Sequence, residues 1–198
     1  MNRTAKVERA TSETTIRVAV GLDGTGVSRI ATGIGFFDHM LEQLSRHSLV
    51  DLDVAATGDL HVDEHHTVED CGILIGRAIC DALGDRAGIR RYGDVRVPMD
   101  EALATVAIDL GGRAYARITP RPDPLAEANP WLELLPHFCE SLAREARMAL
   151  HLDVSGAESV HHHVEAAMKG LARALRAAIE PDPRLETTQV PSTKGRLE

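Results

Sequence analysis

A chain of 198 residues is long enough for one medium domain, or two small ones tightly joined, around a real hydrophobic core. Its 43% hydrophobic and 26% charged residues are those of an ordinary globular protein. A net charge of −8 argues against a nucleic-acid partner, which selects a basic face, and no apolar run approaches the roughly 18 residues that suggest a membrane span.

The N-terminus, MNRTAKVERATSETT, is polar and lacks an apolar secretory core, which leads us to expect a cytoplasmic protein. Residues Thr14 to Val20 alternate and are rich in β-branched side chains, the pattern of a half-buried strand. Leu22 to Gly26 (LDGTG) carries an Asp-Gly turn, and a second strand follows near Ser28 to Thr32. Gly33 and Gly35 break the chain before a helix from about Phe36 to Arg46, striped by Phe37, Met40, Leu41 and Leu44. Asp51 to Thr57 reads as a strand, and the loop Gly58 to Glu64 leads into a helix that begins HHTVE and ends near Leu83-Gly84. Further strands are expected near Asp94 to Val97, Leu103 to Leu110 and Ala114 to Thr119, then a loop with four prolines from Pro120 to Pro130. A helix from Trp131 to about Ala149, a strand at Leu150 to Val154, a helix from HHHVE to Ile179 and an extended polar tail complete the chain. Cys71, Cys80 and Cys139 form no CxxC pair and read as reduced small residues.

The order of elements occurs twice. His39 (FFDHM) and His137 (LLPHF) take the same place on the first helix of each half, and Leu52-Asp53-Val54 returns as Leu152-Asp153-Val154. These repeats predict an α+β fold by internal duplication, with a first unit over residues 1–90, a second over 91–180 and a tail over 181–198. The strongest repeat is His-His-x-x-Glu, at His65 to Glu69 and at His161 to Glu165. On a helix, His65 and Glu69, or His161 and Glu165, lie on one face a turn apart and can grip one metal ion. His66 and His162 are turned about 100° away and could serve a second ion. Imidazole with carboxylate suits Mn, Fe, Zn or Ni better than Ca or Mg.

Taken together, GIGFFDHML, GDLHVDEHHTVEDCGI, PMDEAL and PSTKG make the chain resemble the imidazoleglycerol-phosphate dehydratase family of histidine biosynthesis, from about Arg9 to Leu197. The resemblance implies two copies of a ribosomal protein S5 domain 2-like unit, two manganese ions per active site, and a homo-oligomer of 24 subunits with sites where subunits meet. It implies His39, His65, His66, Glu69, His137, His161, His162 and Glu165 as metal ligands, and Glu13 as the substrate-contacting acid or base. Arg91, Arg113, Lys169, Ser192, Thr193 and Lys194 match its phosphate-binding positions. Lys169 also falls on the helix face of His161 and Glu165. Asp100 and Glu101 are expected to fix a turn and orient ligands. Ser159 stands where the family usually has Asn, and His163 extends the second pair to three.

The implied substrate is a phosphorylated imidazole, and the reaction removes water from a carbon chain that no carbonyl acidifies. Two cations on the ring nitrogens would let the ring lose its proton and store charge as an imidazolate. Of the eight implied ligands, catalysis is expected to centre on His65, Glu69, His161 and Glu165. On the residues alone, a di-metal hydrolase of a phosphorylated small molecule and a metal-storage protein stay open. Six histidines beside two glutamates favour holding a nitrogen ring over clasping an attacking hydroxide. The two HHxxE helices are expected to run antiparallel, so that His65 and Glu69 of one subunit would face His161 and Glu165 of another.

Overall fold

The computed structural model describes residues 3–119 and 129–197. Among them, β1 (Thr4–Ala10), β2 (Thr14–Gly21), β3 (Ser28–Ala31), α1 (Gly35–Ser48), β4 (Asp51–Gly58) and α2 (His65–Leu83) form the first half. The second is β5 (Tyr92–Met99), β6 (Ala102–Asp109), β7 (Tyr115–Thr119), α3 (Pro130–Glu145), β8 (Ala149–Ser155) and α4 (Val160–Ile179). The sheets have the orders β1-β2-β4-β3 and β5-β6-β8-β7, and in each the last pairing alone is parallel. The duplication read from the motifs is therefore present in topology, and the fold is α+β.

Alternation explains the central strands: Thr14, Ile16, Val18 and Val20 of β2 point inward, with Val18 opposite Val54 of β4. In the second half Val106 stands opposite Leu152 in the same way. β1 lies within a stretch expected only to be polar. TAKVERA is mostly exposed, and it is a strand because it pairs along the edge of β2 from Thr4–Gly21 to Ala10–Thr15. The third helix stops at Glu145, short of the expected Ala149. Arg147 turns left-handed at φ 49° and β8 claims Ala149. Residues 120–128 of the expected proline loop lie outside the described residues.

The helices lie between the sheets. α2 covers β1, β2 and β4, whereas α4 covers β5, β6 and β8. Each also packs chiefly on a helix of the other half, α2 on α3 and α1 on α4. Phe37 and Phe138 meet edge to face across the halves, with centroids 5.5 Å apart, in one continuous core. Such rings contribute about 2 kcal/mol each by burial, so neither half keeps its core without the other.

The helix directions correct one expectation. Arg86 is buried and donates to the carbonyls of Leu110, Ala146 and Arg147, binding the end of α2 to the ends of β6 and α3. Leu110 N donates to Arg91 O, and Arg91 N to Ala178 O near the end of α4. The C-terminal ends of α2, α3 and α4 thus converge, so the HHxxE helices start at the same end of the molecule and do not run antiparallel. The tail folds against the converged ends through the Ile89–Pro181 bridge and Gly88 N donating to Gln189 O.

Candidate active site

Because helices pair across the halves, each histidine cluster draws on both. His39 from α1 meets His161 and Glu165 from α4, with one possible ligand atom from each within 4.8 Å of the others. His161 Nε2 is 2.8 Å and His39 Nε2 3.7 Å from Glu165 Oε2. Burial works to raise the Glu165 pKa, but Lys169, 2.7 Å from Oε1, and His161 outweigh it and hold the carboxyl below its ordinary value. The second cluster joins His65 of α2 to Glu133 and His137 of α3. The rings of His65 and His137 are 4.6 Å apart. An ion that bonds imidazole nitrogen at about 2.1 Å keeps its donors within about 4.2 Å of one another. Both donor sets therefore fit a nitrogen- and oxygen-loving divalent ion after side chains settle by about half an ångström.

His66 and His162 point away from these clusters, as their helical positions require. His66 Nδ1 lies 3.1 Å from Asp59 Oδ2, and His162 Nδ1 2.8 Å from Glu101 Oε2. The neighbouring carboxylates, Asp59 for His66 and Glu101 for His162, raise both histidine pKa values, and His162 lowers that of Glu101 to about 2. A carboxylate on Nδ1 fixes the ring with Nε2 turned away from it; Nε2 of His162 lies 3.7 Å from Asp100 Oδ2. Glu101 also accepts from the Glu158 and Ser159 amides, and the Ser159 hydroxyl accepts from His162 N at 3.4 Å, capping α4.

Glu13 reaches this region on a turn tied to α2. Its amide donates to Thr11 Oγ1, Thr14 Oγ1 donates to Asp70 at 2.5 Å, and Arg9 pairs with the same carboxylate. Glu13 Oε2 then lies 3.9 Å from His66 Nδ1.

At the opposite end, the tail, the start of β5 and the segment that follows β6 line an open pocket of about 710 Å³. Arg91, Arg113, Ser192, Thr193 and Lys194 line it, joined by Arg196, so cationic and hydroxyl groups face one space. Lys169 is not among its lining residues and stands instead beside Glu165.

A model of the imidazoleglycerol-phosphate dehydratase family matches residues 32–175. The chain belongs to this family. It is 50% identical to the imidazoleglycerol-phosphate dehydratase of Cereibacter sphaeroides, covering 98% of this chain and 100% of the relative. It is 51% identical to that of Kineococcus radiotolerans, with both chains fully covered. The crystal structure of the Staphylococcus aureus dehydratase superposes with a TM-score of 0.78 at 31% identity, over 90% of this chain and 99% of that one. The Pyrococcus furiosus enzyme, in complex with (S)-C348, gives 0.79 at 35%, over 96% and 100%.

Two carboxylates at this site, Glu133 and Asp59, were not legible from sequence as ligands or orienters. Glu133 sits with His65 and His137 where Glu69 was expected, while Glu69 Oε2 lies 3.8 Å from His65 Nε2. Glu133-x3-His137 is itself a one-turn acid–histidine pair in reversed order, which is the signal that could have found it. Asp59 lies in the loop before α2 and carries no local pattern. Glu101, expected to orient ligands, has its Oε2 2.8 Å from His162 Nδ1.

Proposed function

We propose that this chain dehydrates an imidazole-bearing glycerol phosphate, the reaction in its family's name, as a step of histidine biosynthesis. The pairing of each HHxxE histidine with the first-helix histidine of the other half carries the reading, because it makes two nitrogen-rich clusters from one duplicated unit. His39, His161 and Glu165 would hold one divalent ion and His65, His137 and Glu69 or Glu133 the other, with manganese suited to the mixed imidazole and carboxylate donors. Ions held there would supply Lewis acidity to the ring nitrogens of the substrate. Glu13, which is assigned to neither cluster, takes or returns the carbon-bound or hydroxyl proton. Asp59 and Glu101 keep His66 and His162 turned with Nε2 outward. Arg113, Lys194 and the Ser192 and Thr193 hydroxyls hold the phosphate. The reading places the enzyme in the cytoplasm; no described helix is long and apolar enough to cross a membrane.

The two ends of such a substrate cannot both be served by one chain. The cavity adjoins Ala178 and the metal cluster contains His161, and the helix rises about 26 Å between them at 1.5 Å per residue. A five-membered ring, a three-carbon chain and a phosphate extend roughly 10 Å. A neighbouring subunit therefore completes the site, in line with a homo-oligomer of the 24-subunit kind. Six of the eight expected ligands lie in or beside the two clusters. The remaining two, His66 and His162, lie outside both clusters, and we assign them to a neighbour's ion, for which His162 would exchange its 3.7 Å contact with Asp100.

Metal analysis with steady-state kinetics tests this. His65→Ala and His161→Ala are expected to lose metal and dehydration together, whereas the buried Cys71→Ser keeps both. Retention of two tightly bound metals and full activity by His65→Ala would show the assignment to be wrong.

A further inference from the structure

A carboxylate near an anion pocket weakens anion binding by charge alone. Asp109, the last residue of β6, nevertheless stands behind Arg91 at the cavity. Its Oδ1 accepts from Arg91 Nε at 2.7 Å and its Oδ2 from Nη2 at 3.0 Å. The third nitrogen, Nη1, donates to the Pro191 carbonyl at 2.9 Å. Arginine has five N–H donors, so these three bonds leave two for an anion. The Tyr92 ring lies 4.6 Å from Arg91 Cζ and covers one face of the guanidinium. Gly111 keeps the other approach clear: a Cβ there would come within 2.8 Å of Asp109 Oδ2 and 3.1 Å of Arg91 Nη2. Pro191 belongs to the tail segment that brings Ser192, Thr193 and Lys194 to the same cavity. One guanidinium thus joins the end of a core strand to the tail.

We propose that Asp109 is a positioning residue of the phosphate site, fixing the Arg91 guanidinium so that its spare N–H groups serve the anion while Nη1 holds the tail in place. The inference rests on the reading of this cavity as the phosphate site. It reverses the sign expected from charge. Without Asp109 the pocket is more positive, yet Arg91, a long side chain with many rotamers, loses two of its three anchors and with them its hold on Pro191.

Asp109→Asn removes the charge at nearly constant shape and is the deciding variant. Positioning predicts a KM raised about tenfold with kcat within about twofold, the mark of lost ground-state binding. Inorganic phosphate, used as a competitive inhibitor, is expected to weaken in parallel. Gly111→Ala leaves every charge in place and is expected to raise KM in the same direction by crowding the pair. Arg91→Lys added to Asp109→Asn is expected to cost less than it does alone, because the two act as a unit. A KM that is unchanged or lowered in Asp109→Asn overturns the positioning role. Arg113→Ala and Lys194→Ala test the underlying reading separately. If neither alters KM or phosphate inhibition, the cavity is not the phosphate site. If both do and Asp109→Asn does not, the site stands and the role of Asp109 falls.

Discussion

Glu13 is the residue to which we assign the acid–base chemistry, and its surroundings show how a surface carboxylate can be aimed. Thr11 and Thr14 close the turn, and the carboxylate of Asp70, on the helix that carries His65 and His66, holds it down. Glu13→Gln keeps the shape and is expected to lower kcat by about 10²–10⁴, the range for a lost proton-transfer group, with little change in KM. Arg113→Ala and Lys194→Ala are expected to do the reverse. A Glu13→Gln enzyme with kcat untouched and only KM raised would remove it from the acid–base role. The cysteines give a residue-scale control of burial. Burial pushes the Cys139 thiol up to about 12 and raises Cys71 further, while Cys80 is only half-buried. Since the thiolate is the reactive form, iodoacetamide at pH 8 is expected to label Cys80 in the native protein and to spare Cys71 and Cys139. Equal labelling of all three, read by mass spectrometry, would contradict the packing around α2 and α3. Histidine spacing made the two HHxxE pairs legible in the sequence, because i, i+4 geometry is local, while His39, His137, Glu13 and the cationic set came from the family resemblance. Asp59 and Glu133 were not legible as site residues, because what brings them to a histidine is a loop path in one case and the packing of α3 on α2 in the other.

The elements show the same division between local and distant causes. β2, β4, β6 and β8 are read from alternation because each has one buried face, whereas β1 is nearly all exposed and exists through its partner. The helices are read from their apolar stripes, but their directions are not, since the helix ends are joined by Arg86 reaching carbonyls up to 61 residues away and by Arg91 bonding Ala178. The α2–α3 contact permits a prediction of sign. Gly76 lies inside α2, where Gly→Ala on an exposed face would stabilise by about 1 kcal/mol. Here a Cβ would fall 2.5 Å from the Leu142 carbonyl oxygen and 3.0 Å from Ala146 N. Both neighbours are backbone and cannot swing aside, so Gly76→Ala is expected to destabilise by about 1–3 kcal/mol, the usual range for overpacking. A thermal melt at or above that of the parent would show that the two helices are not so closely apposed.

At the scale of the whole molecule, one chain carries both kinds of site at opposite ends. The His39–His161–Glu165 cluster lies at the start of α4 and the cationic cavity by its finish, a separation no small substrate spans. On the proposed reading assembly is part of the chemistry, and metal is expected to take part in assembly. His66 and His162 are each held through Nδ1 by a carboxylate of their own chain, and on the proposed reading Nε2 of each would ligate an ion whose other ligands come from a neighbour. An ion bound that way stabilises only the associated state, so its contribution grows with its free concentration over its dissociation constant. Neutral imidazole is required for ligation, so mild acid is expected to release metal and loosen the particle together. Sedimentation velocity at neutral pH with and without a chelator, and again near pH 5, measures both effects. Loss of metal is expected to be accompanied by smaller species, and readdition of manganese at neutral pH to restore the large one. His66→Ala and His162→Ala are expected to reproduce the chelated behaviour in the presence of metal, while their sheets and core, which these side chains do not enter, stay folded. A particle of unchanged size after complete removal of metal would mean that subunits are joined through other surfaces, and that the ions only occupy a site the assembly has already made.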